Sequence, residues 1–137
     1  MEWDEKEDTM PIDINPIHLK EHCDYLAPDT SEIYLLANGT HGGLCQCILP
    51  VGATSLAVSH KTVEELWYFI EGEGEVWRRN LYDNKPAAVH TGTSIVIPPQ
   101  TAFQFRNTGT IPLKFIIATL PPWPGAHEAV SEKGFWP

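Results

Sequence analysis

Cysteine, basic side chains and long apolar stretches are all scarce in this sequence. Three cysteines, an odd number in 137 residues, do not suggest a disulfide framework. No run approaches the roughly 18 apolar residues that a membrane helix requires. The first ten residues have neither a basic start nor an apolar run, so no secretory signal is visible and we expect a cytoplasmic protein.

The shortage of basic residues also narrows the choice of partners. Nine Lys and Arg against eighteen Asp and Glu give a formal net charge of −9. A surface of that sign repels phosphate backbones and anionic lipid, so we expect neither nucleic acid nor membrane as a partner. The length fits one domain that is large enough to bury a core.

The chain divides into an acidic arm (1–16), a body and a Pro- and Trp-rich tail (121–137) that we expect to pack as a strap across the body. Residues 17–25 are predicted to form a short helix. From residue 32 onward, short β-branched and aromatic runs alternate with turn residues about every ten positions, which predicts an all-β sandwich or barrel. The predicted strands are 33–37, 44–50, 56–60, 65–71, 75–82, 87–90, 94–97, 102–107 and 113–119.

Two stretches carry a more specific pattern. In residues 52–72, Gly52, His60, Glu65 and Gly72 fall at the spacing of Gly, five residues, His-x-His, three or four residues, Glu, six residues and Gly. This resembles the first conserved motif of the cupin family, with Val58 in place of the first histidine. The chain is therefore similar to cupins over its central part.

The second stretch, residues 92–107, resembles the second cupin motif: Gly, five residues, Pro-x-Gly, two residues, His, three residues and Asn. Gly92, Pro98 and Asn107 match, while Gln100 replaces the Gly and Phe103 replaces the His. The resemblance implies a jelly roll, the double-stranded β-helix barrel, formed by one cupin domain over residues 17–137. Because cupin domains often pair by sheet packing, it also implies a homodimer.

The resemblance implies a metal site as well, held by the motif-one histidines and Glu and the motif-two His. Only His60 and Glu65 of that set are present, and stable transition-metal sites use three or four protein ligands. We therefore expect no cofactor. The alternative that a divalent transition metal binds His60 and Glu65 together with substitute ligands stays open.

Strand alternation predicts which side chains face the barrel interior. If Glu65 points inward, so do Trp67 and Phe69, while Leu66, Tyr68 and Ile70 point outward. The same parity groups the other candidate ligand-binding residues in the pocket, and these are Val58, Phe103, Phe105 and Asn107. The prediction is an aromatic pocket for a small organic molecule.

His60 and Glu65 are the predicted catalytic residues. A carboxylate beside an imidazole favours the protonated imidazole, while burial against Trp67 raises the pKa of the carboxyl group. Such a pair suits proton transfer, so we predict a metal-independent isomerase, cyclase or lyase. Two alternatives stay open, a non-catalytic binding or sensor cupin and a metal-dependent oxygenase with an unusual ligand set.

The remaining candidates are predicted to be structural. Cys45 and Cys47 share one face of a strand, and buried cysteine mostly behaves as a small hydrophobic residue. His41, His90 and His127 are expected to be exposed. Trp123 is expected to act as a lid or as a subunit contact.

Overall fold

Eleven strands and one short 3-10 helix form the regular structure in a computed structural model that describes residues 12–79, 82 and 84–137. The strands are β1 (Tyr25–Leu26), β2 (Glu32–Asn38), β3 (Gly43–Leu49), β4 (Val58–His60), β5 (Glu64–Glu71), β6 (Glu73–Arg78), β7 (Ala87–His90), β8 (Ser94–Ile97), β9 (Phe103–Asn107), β10 (Leu113–Leu120) and β11 (Ala129–Ser131), with the 3-10 helix at Ala126–Glu128. The nine predicted runs correspond to β2 through β10. The all-β prediction is confirmed.

The strands form two antiparallel sheets that face each other across the core. The six-stranded sheet has the order β1-β2-β3-β10-β5-β8, and the five-stranded sheet has the order β11-β4-β9-β6-β7. Neighbours in each sheet are mostly distant in sequence, since the chain crosses between sheets after β3, β4, β5, β7, β8, β9 and β10. This exchange produces the predicted jelly-roll barrel.

Alternation along β5 positions the central site residues. Glu65, Trp67 and Phe69 are 5%, 1% and 0% exposed, whereas Leu66 and Tyr68 are about half exposed. The inward–outward prediction for this strand is confirmed. A shift of one residue would bury the outer set and expose the three site residues, so the alternation specifies the register.

The turns explain why the motif glycines are needed. Gly72 has a φ of 86°, and a Cβ there would lie 2.6 Å from the Pro112 carbonyl oxygen. Gln100 occupies the motif-two glycine position and also has a positive φ, 62°. A left-handed backbone costs a residue with a Cβ about 1–2 kcal/mol, so this turn keeps the family geometry at an energetic cost.

The predicted helix over residues 17–25 is wrong. The segment is irregular up to Tyr25–Leu26, which pairs as β1 with Ile33 and Glu32 of β2. Asp24 organises this approach, because its backbone N–H donates to the Ile33 carbonyl and its carboxylate accepts the backbone N–H of Leu35. Hydrogen bonding to a sheet edge outweighs a weak local helical preference.

The two ends of the chain differ in how far they can be described. Residues 1–11, which make up most of the predicted arm, lie outside the described residues, and 12–16 are exposed. The tail packs on the barrel as the predicted strap, and β11 pairs with β4. The backbone N–H and carbonyl of Trp136 both bond to the side chain of Gln104.

The outer face of the six-stranded sheet is apolar and open. Leu44, Leu66, Tyr68 and Val96 are all exposed on it. A homodimer formed by sheet packing stays a prediction. No helix in the described part of the chain has the length and apolar character needed to cross a bilayer.

Candidate functional site

A cavity of about 670 Å³ lies inside the barrel between the two sheets. That volume is typical of small-molecule sites, which range from about 300 to 1,000 Å³. Aromatic rings form much of its wall, and these are Tyr25, Trp67, Phe103, Phe105, Phe115 and Trp123. The barrel therefore has room for a ligand and is not filled by its own side chains.

His60 at the end of β4 and Glu65 near the start of β5 meet in this cavity. His60 Nδ1 lies 3.9 Å from Glu65 Oε2, and both side chains are buried. This separation is too long for a hydrogen bond. Glu65 Oε1 accepts a hydrogen bond of 2.9 Å from Trp67 Nε1.

The two ring nitrogens of His60 have different surroundings. Nδ1 is buried and has no hydrogen-bond partner within the described residues. Since His60 lines the cavity and Nδ1 is the nitrogen that lies near Glu65, we infer that Nε2 is the nitrogen that meets a ligand. Rings hold the imidazole in place by edge-to-face contacts, with centroids 5.2 Å away in Phe103 and 4.9 Å away in Trp123.

Burial moves the pKa values of the pair in opposite directions. Desolvation lowers the pKa of His60 to about 4, although the negative charge of Glu128 opposes the shift. Desolvation raises the pKa of Glu65 to about 8, opposed by the Trp67 hydrogen bond and assisted by the charge of Asp29. Near pH 7 both groups are therefore mainly neutral, a free base beside an acid that keeps its proton.

Of the two opposed effects expected for this pair, burial is the larger. It raises the pKa of Glu65 in the expected direction, and it lowers the pKa of His60, against the direction that a neighbouring carboxylate would favour. The 3.9 Å contact joins two neutral groups rather than an ion pair.

Six of the eight predicted site residues line the cavity: Val58, His60, Glu65, Trp67, Phe103 and Phe105. The other two do not. Phe69 packs in the closed part of the core, with its ring centroid 4.7 Å from that of Phe115. Asn107 uses its amide to hold the Leu49 and Ile111 carbonyls, so the prediction that it contacts a ligand does not fit its position.

Asp29 is a site residue that the sequence did not reveal. It lies in the β1–β2 turn, is 8% exposed and lines the same cavity as Glu65. Burial raises the pKa of its carboxyl group, although hydrogen bonds from the Ser31 hydroxyl and backbone N–H oppose the shift. An Asp beside Pro28 in a turn resembles any solvated turn residue, so no local signal distinguishes it.

The strap covers the cavity beside His60. Trp123, Pro124, Gly125 and Ala126 all line it, which agrees with the lid expected for Trp123. The strap is tied down by Glu128, whose carboxylate accepts hydrogen bonds from Thr62 Oγ1 and from the backbone N–H groups of Thr62 and Val63. Burial opposes ionisation of Glu128, but these hydrogen bonds prevail and lower its pKa.

Comparison with known proteins agrees with the barrel and the motif spacing. The model of the cupin domain family matches residues 46–119, more than half of the chain. The chain belongs to the cupin family. An uncharacterized protein of Methanocaldococcus jannaschii is 37% identical to this cupin over 90 residues, which cover 66% of this chain and 67% of the relative.

Solved cupin-like structures support the fold alone. A Klebsiella pneumoniae protein with a double-stranded β-helix domain superposes with a TM-score of 0.65 at 17% identity, covering 82% of this chain and 93% of that one. A Bacillus halodurans protein gives a TM-score of 0.62 at 24% identity and 81% coverage of both chains. At these identities the site of this cupin must be interpreted from its own residues.

The donor set of this cupin does not fit the metal site of the family. Val58 and Phe103 fill two of the four ligand positions with apolar side chains, and they pair across β4 and β9. Within residues 12–79, 82 and 84–137, no group of three or more His, Cys, Asp and Glu side chains is arranged to hold a metal ion. We therefore derive no step through a metal.

The cysteines and the other histidines lie where the sequence predicted. Cys45 and Cys47 both belong to the buried core cluster and reach the cavity wall. Burial raises the pKa of Cys45 to about 12 and raises that of Cys47 well above its ordinary value, so both are thiols at neutral pH and poor nucleophiles. His41, His90 and His127 are exposed, as expected.

Proposed function

We propose that this cupin catalyses proton transfer on a small, partly apolar organic molecule, with His60 as the base and Glu65 as the acid. The observation that carries the proposal is the meeting of an imidazole and a carboxyl group, both buried and neither hydrogen-bonded to the other, at the wall of a ligand-sized cavity. Buried polar groups are normally satisfied, so the unpartnered Nδ1 of His60 beside a carboxyl group in a cavity suggests that a ligand completes the site.

The chemistry suits a carbon acid next to a carbonyl group. The neutral imidazole accepts the proton through Nε2, and the electron pair of the broken C–H bond becomes the C=C bond of an enol. The carboxyl group of Glu65 gives its proton to the carbonyl oxygen, whose π pair forms the new O–H bond. The products on the protein are an imidazolium and a carboxylate, which stabilise each other at the 3.9 Å separation.

Return of the proton decides the type of reaction. Delivery to a different face or to a different carbon completes an isomerisation, and loss of a leaving group from the neighbouring carbon completes an elimination. The apolar wall and the strap limit water around the pair, which strengthens electrostatic interactions within the site. No other group in this scheme has to change its charge.

A test that needs no known substrate uses solvent deuterium. The full chain is incubated in D2O with fractions of a small-molecule extract and a chelator, and incorporation of deuterium is followed by mass spectrometry. We expect the wild-type protein to label a carbon of at least one compound. His60→Gln should slow the labelling by about 100-fold or more, the usual contribution of a general base.

His41→Gln is the matched control, because it makes the same substitution at an exposed position. Full labelling by His60→Gln would contradict the role of His60. Binding of an extract compound without any labelling or conversion would favour the non-catalytic cupin. A requirement for added divalent metal would contradict metal independence.

A further inference from the structure

The ionisable side chains that line the cavity are mostly acidic. The cavity contains two carboxyl groups, those of Asp29 and Glu65, and one imidazole, and no Lys or Arg is among the described residues that line it. Basic side chains elsewhere have other partners, as in the contacts Lys20–Asp24, Arg78–Val96, Arg79–Glu132, Arg106–Glu75 and Lys114–Glu71. Within the described chain, nothing positive lines the cavity to balance the two acids.

A structural role in the turn explains why residue 29 has a side-chain acceptor, but it does not explain why this residue is an acid. Its Oδ1 accepts the backbone N–H and the hydroxyl of Ser31, which closes a turn in which Thr30 has a φ of 78°. The two hydrogen bonds from Ser31 both use Oδ1, and the carboxyl group also interacts with its own backbone N–H, so the turn needs an acceptor but not a charge. An Asn or Ser side chain could supply that acceptor without placing an acid in an apolar cavity.

The unpartnered imidazole is a second and independent sign of a missing ligand. His60 is 5% exposed, and its Nδ1 has no hydrogen-bond partner within the described residues. In the tautomer that leaves Nε2 as the base, Nδ1 carries the ring hydrogen, and a neutral imidazole supplies no positive charge to attract an anion. The aromatic wall favours a cation, because ring faces attract cations.

From these features we infer that the cavity takes a small organic cation, an amine or ammonium compound with an apolar body, and that Asp29, ionised when the cation binds beside it, supplies the counter-charge. The inference rests on the proposed function only in treating the bound molecule as the substrate. Asp29 then holds the charged group, while His60 and Glu65 remain free for proton transfer. The net charge of −9 raises the local concentration of such cations around the protein.

The test compares compounds that differ in charge and share a shape. Benzylamine, benzyl alcohol and benzoate form one set, and choline with its neutral isostere 3,3-dimethylbutan-1-ol forms another. Binding to the full chain is measured at pH 7 by isothermal titration calorimetry or ligand-observed NMR. We expect at least one cation to bind about tenfold or more tightly than its neutral isostere, and benzoate to bind most weakly.

Asp29→Asn should bring the cation and the neutral isostere to within about threefold of each other, with affinity for the neutral compound retained. Asp13→Asn is the control, since it removes the same charge at an exposed site. If Asp29→Asn does not fold, the comparison of each cation with its neutral isostere on the wild-type protein still tests whether the cavity prefers cations.

A neutral or anionic member that binds as tightly as the cation would overturn the inference, as would a panel in which no cation binds. The two proposals fail separately. A preference for cations without any deuterium labelling would leave this inference intact and remove the catalytic one, and labelling of anionic compounds alone would do the reverse.

Discussion

The two ends of the barrel differ in whether a buried polar side chain has hydrogen-bond partners. At the closed end, Asn107 is fully used: its Nδ2 donates to the Leu49 and Ile111 carbonyls at 3.1 and 2.9 Å, and its Oδ1 accepts the Gly109 N–H at 2.9 Å. At the cavity end, His60 has an equally buried Nδ1 with no partner among the described residues. Both residues lie at conserved-motif positions of the cupin family.

The difference separates a structural role from a functional one. A polar group whose hydrogen bonds are all made within the chain stabilises the fold and is unavailable to a ligand. A buried polar group without a partner costs stability, and proteins retain such costs mainly where function requires them. Asn107 therefore belongs to the scaffold and His60 to the site, although the sequence places both in motifs.

The largest expected effect on stability comes from removing the hydrogen bonds of Asn107 at the closed end. Asn107→Ala removes three hydrogen bonds and leaves the carbonyls of Leu49 and Ile111 and the N–H of Gly109 without their partner. We expect a loss of about 2–4 kcal/mol in the free energy of unfolding, since each abandoned buried group costs about 1–3 kcal/mol and water reaches part of the turn. Urea denaturation measures it.

Asn15→Ala serves as the control for this substitution, because Asn15 is exposed and its loss should change stability by no more than about 0.5 kcal/mol. If Asn107→Ala were as stable as the control, the closed end would not depend on this amide. The contrast between the two ends would then be lost.

The second prediction uses pH to test the cavity end. Folding raises the pKa of Glu65 from its ordinary 4.5 to about 8, so the folded state binds more protons and this group's contribution to stability is lost as pH rises between those values. Folding lowers the pKa of His60 from 6.5 to about 4, so its contribution is lost as pH falls from 6.5 to 4. From pH 6.5 to 8 the shift of Glu65 dominates, because His60 in the unfolded state is half protonated at pH 6.5 and nearly neutral by pH 8, so it adds only a small slope of opposite sign.

In that window, wild-type stability should fall by up to about 1.4 kcal/mol per pH unit because of Glu65, about 2 kcal/mol in all. Glu65→Gln should remove most of the slope, with the free energy of unfolding measured at pH 6.5, 7.25 and 8. Glu64→Gln, one residue away on the exposed face, should retain it. Because Asp29 faces the same cavity and its pKa is also raised, a residual slope in Glu65→Gln is assigned with Asp29→Asn. Equal slopes in Glu65→Gln and wild type would mean that Glu65 is ionised throughout.

The parts of this site that could be predicted are those that depend on spacing along the chain. Alternation in β5 predicted that Trp67 and Phe69 share the face of Glu65, and the resemblance in motif spacing predicted that His60 meets Glu65. Both are local or family patterns. The neutral state of His60 could not be predicted in the same way, because it depends on how much water the cavity excludes.

The parts that were missed depend on contacts between distant residues. Asp29 reaches the cavity because β1 pairs with the edge of β2, and a two-residue strand has no detectable period. Glu128 is buried because a 3-10 turn places it against Thr62, 66 residues earlier. In both cases the composition of the segment is that of an ordinary loop, and only the three-dimensional packing gives the side chain its role.

The smallest expected effect is a gain in stability at the cavity end. His60→Leu replaces a buried, unpartnered imidazole by an apolar side chain of similar size, so the cost of the unsatisfied Nδ1 is removed while contacts with Phe103 and Trp123 are largely kept. We expect the free energy of unfolding at pH 7 to rise by about 1 kcal/mol, with proton transfer abolished. His41→Leu, at an exposed turn, should leave both nearly unchanged. A loss of stability in His60→Leu would mean that the imidazole supports the fold much as Asn107 does, and the two ends of the barrel would then not differ in kind.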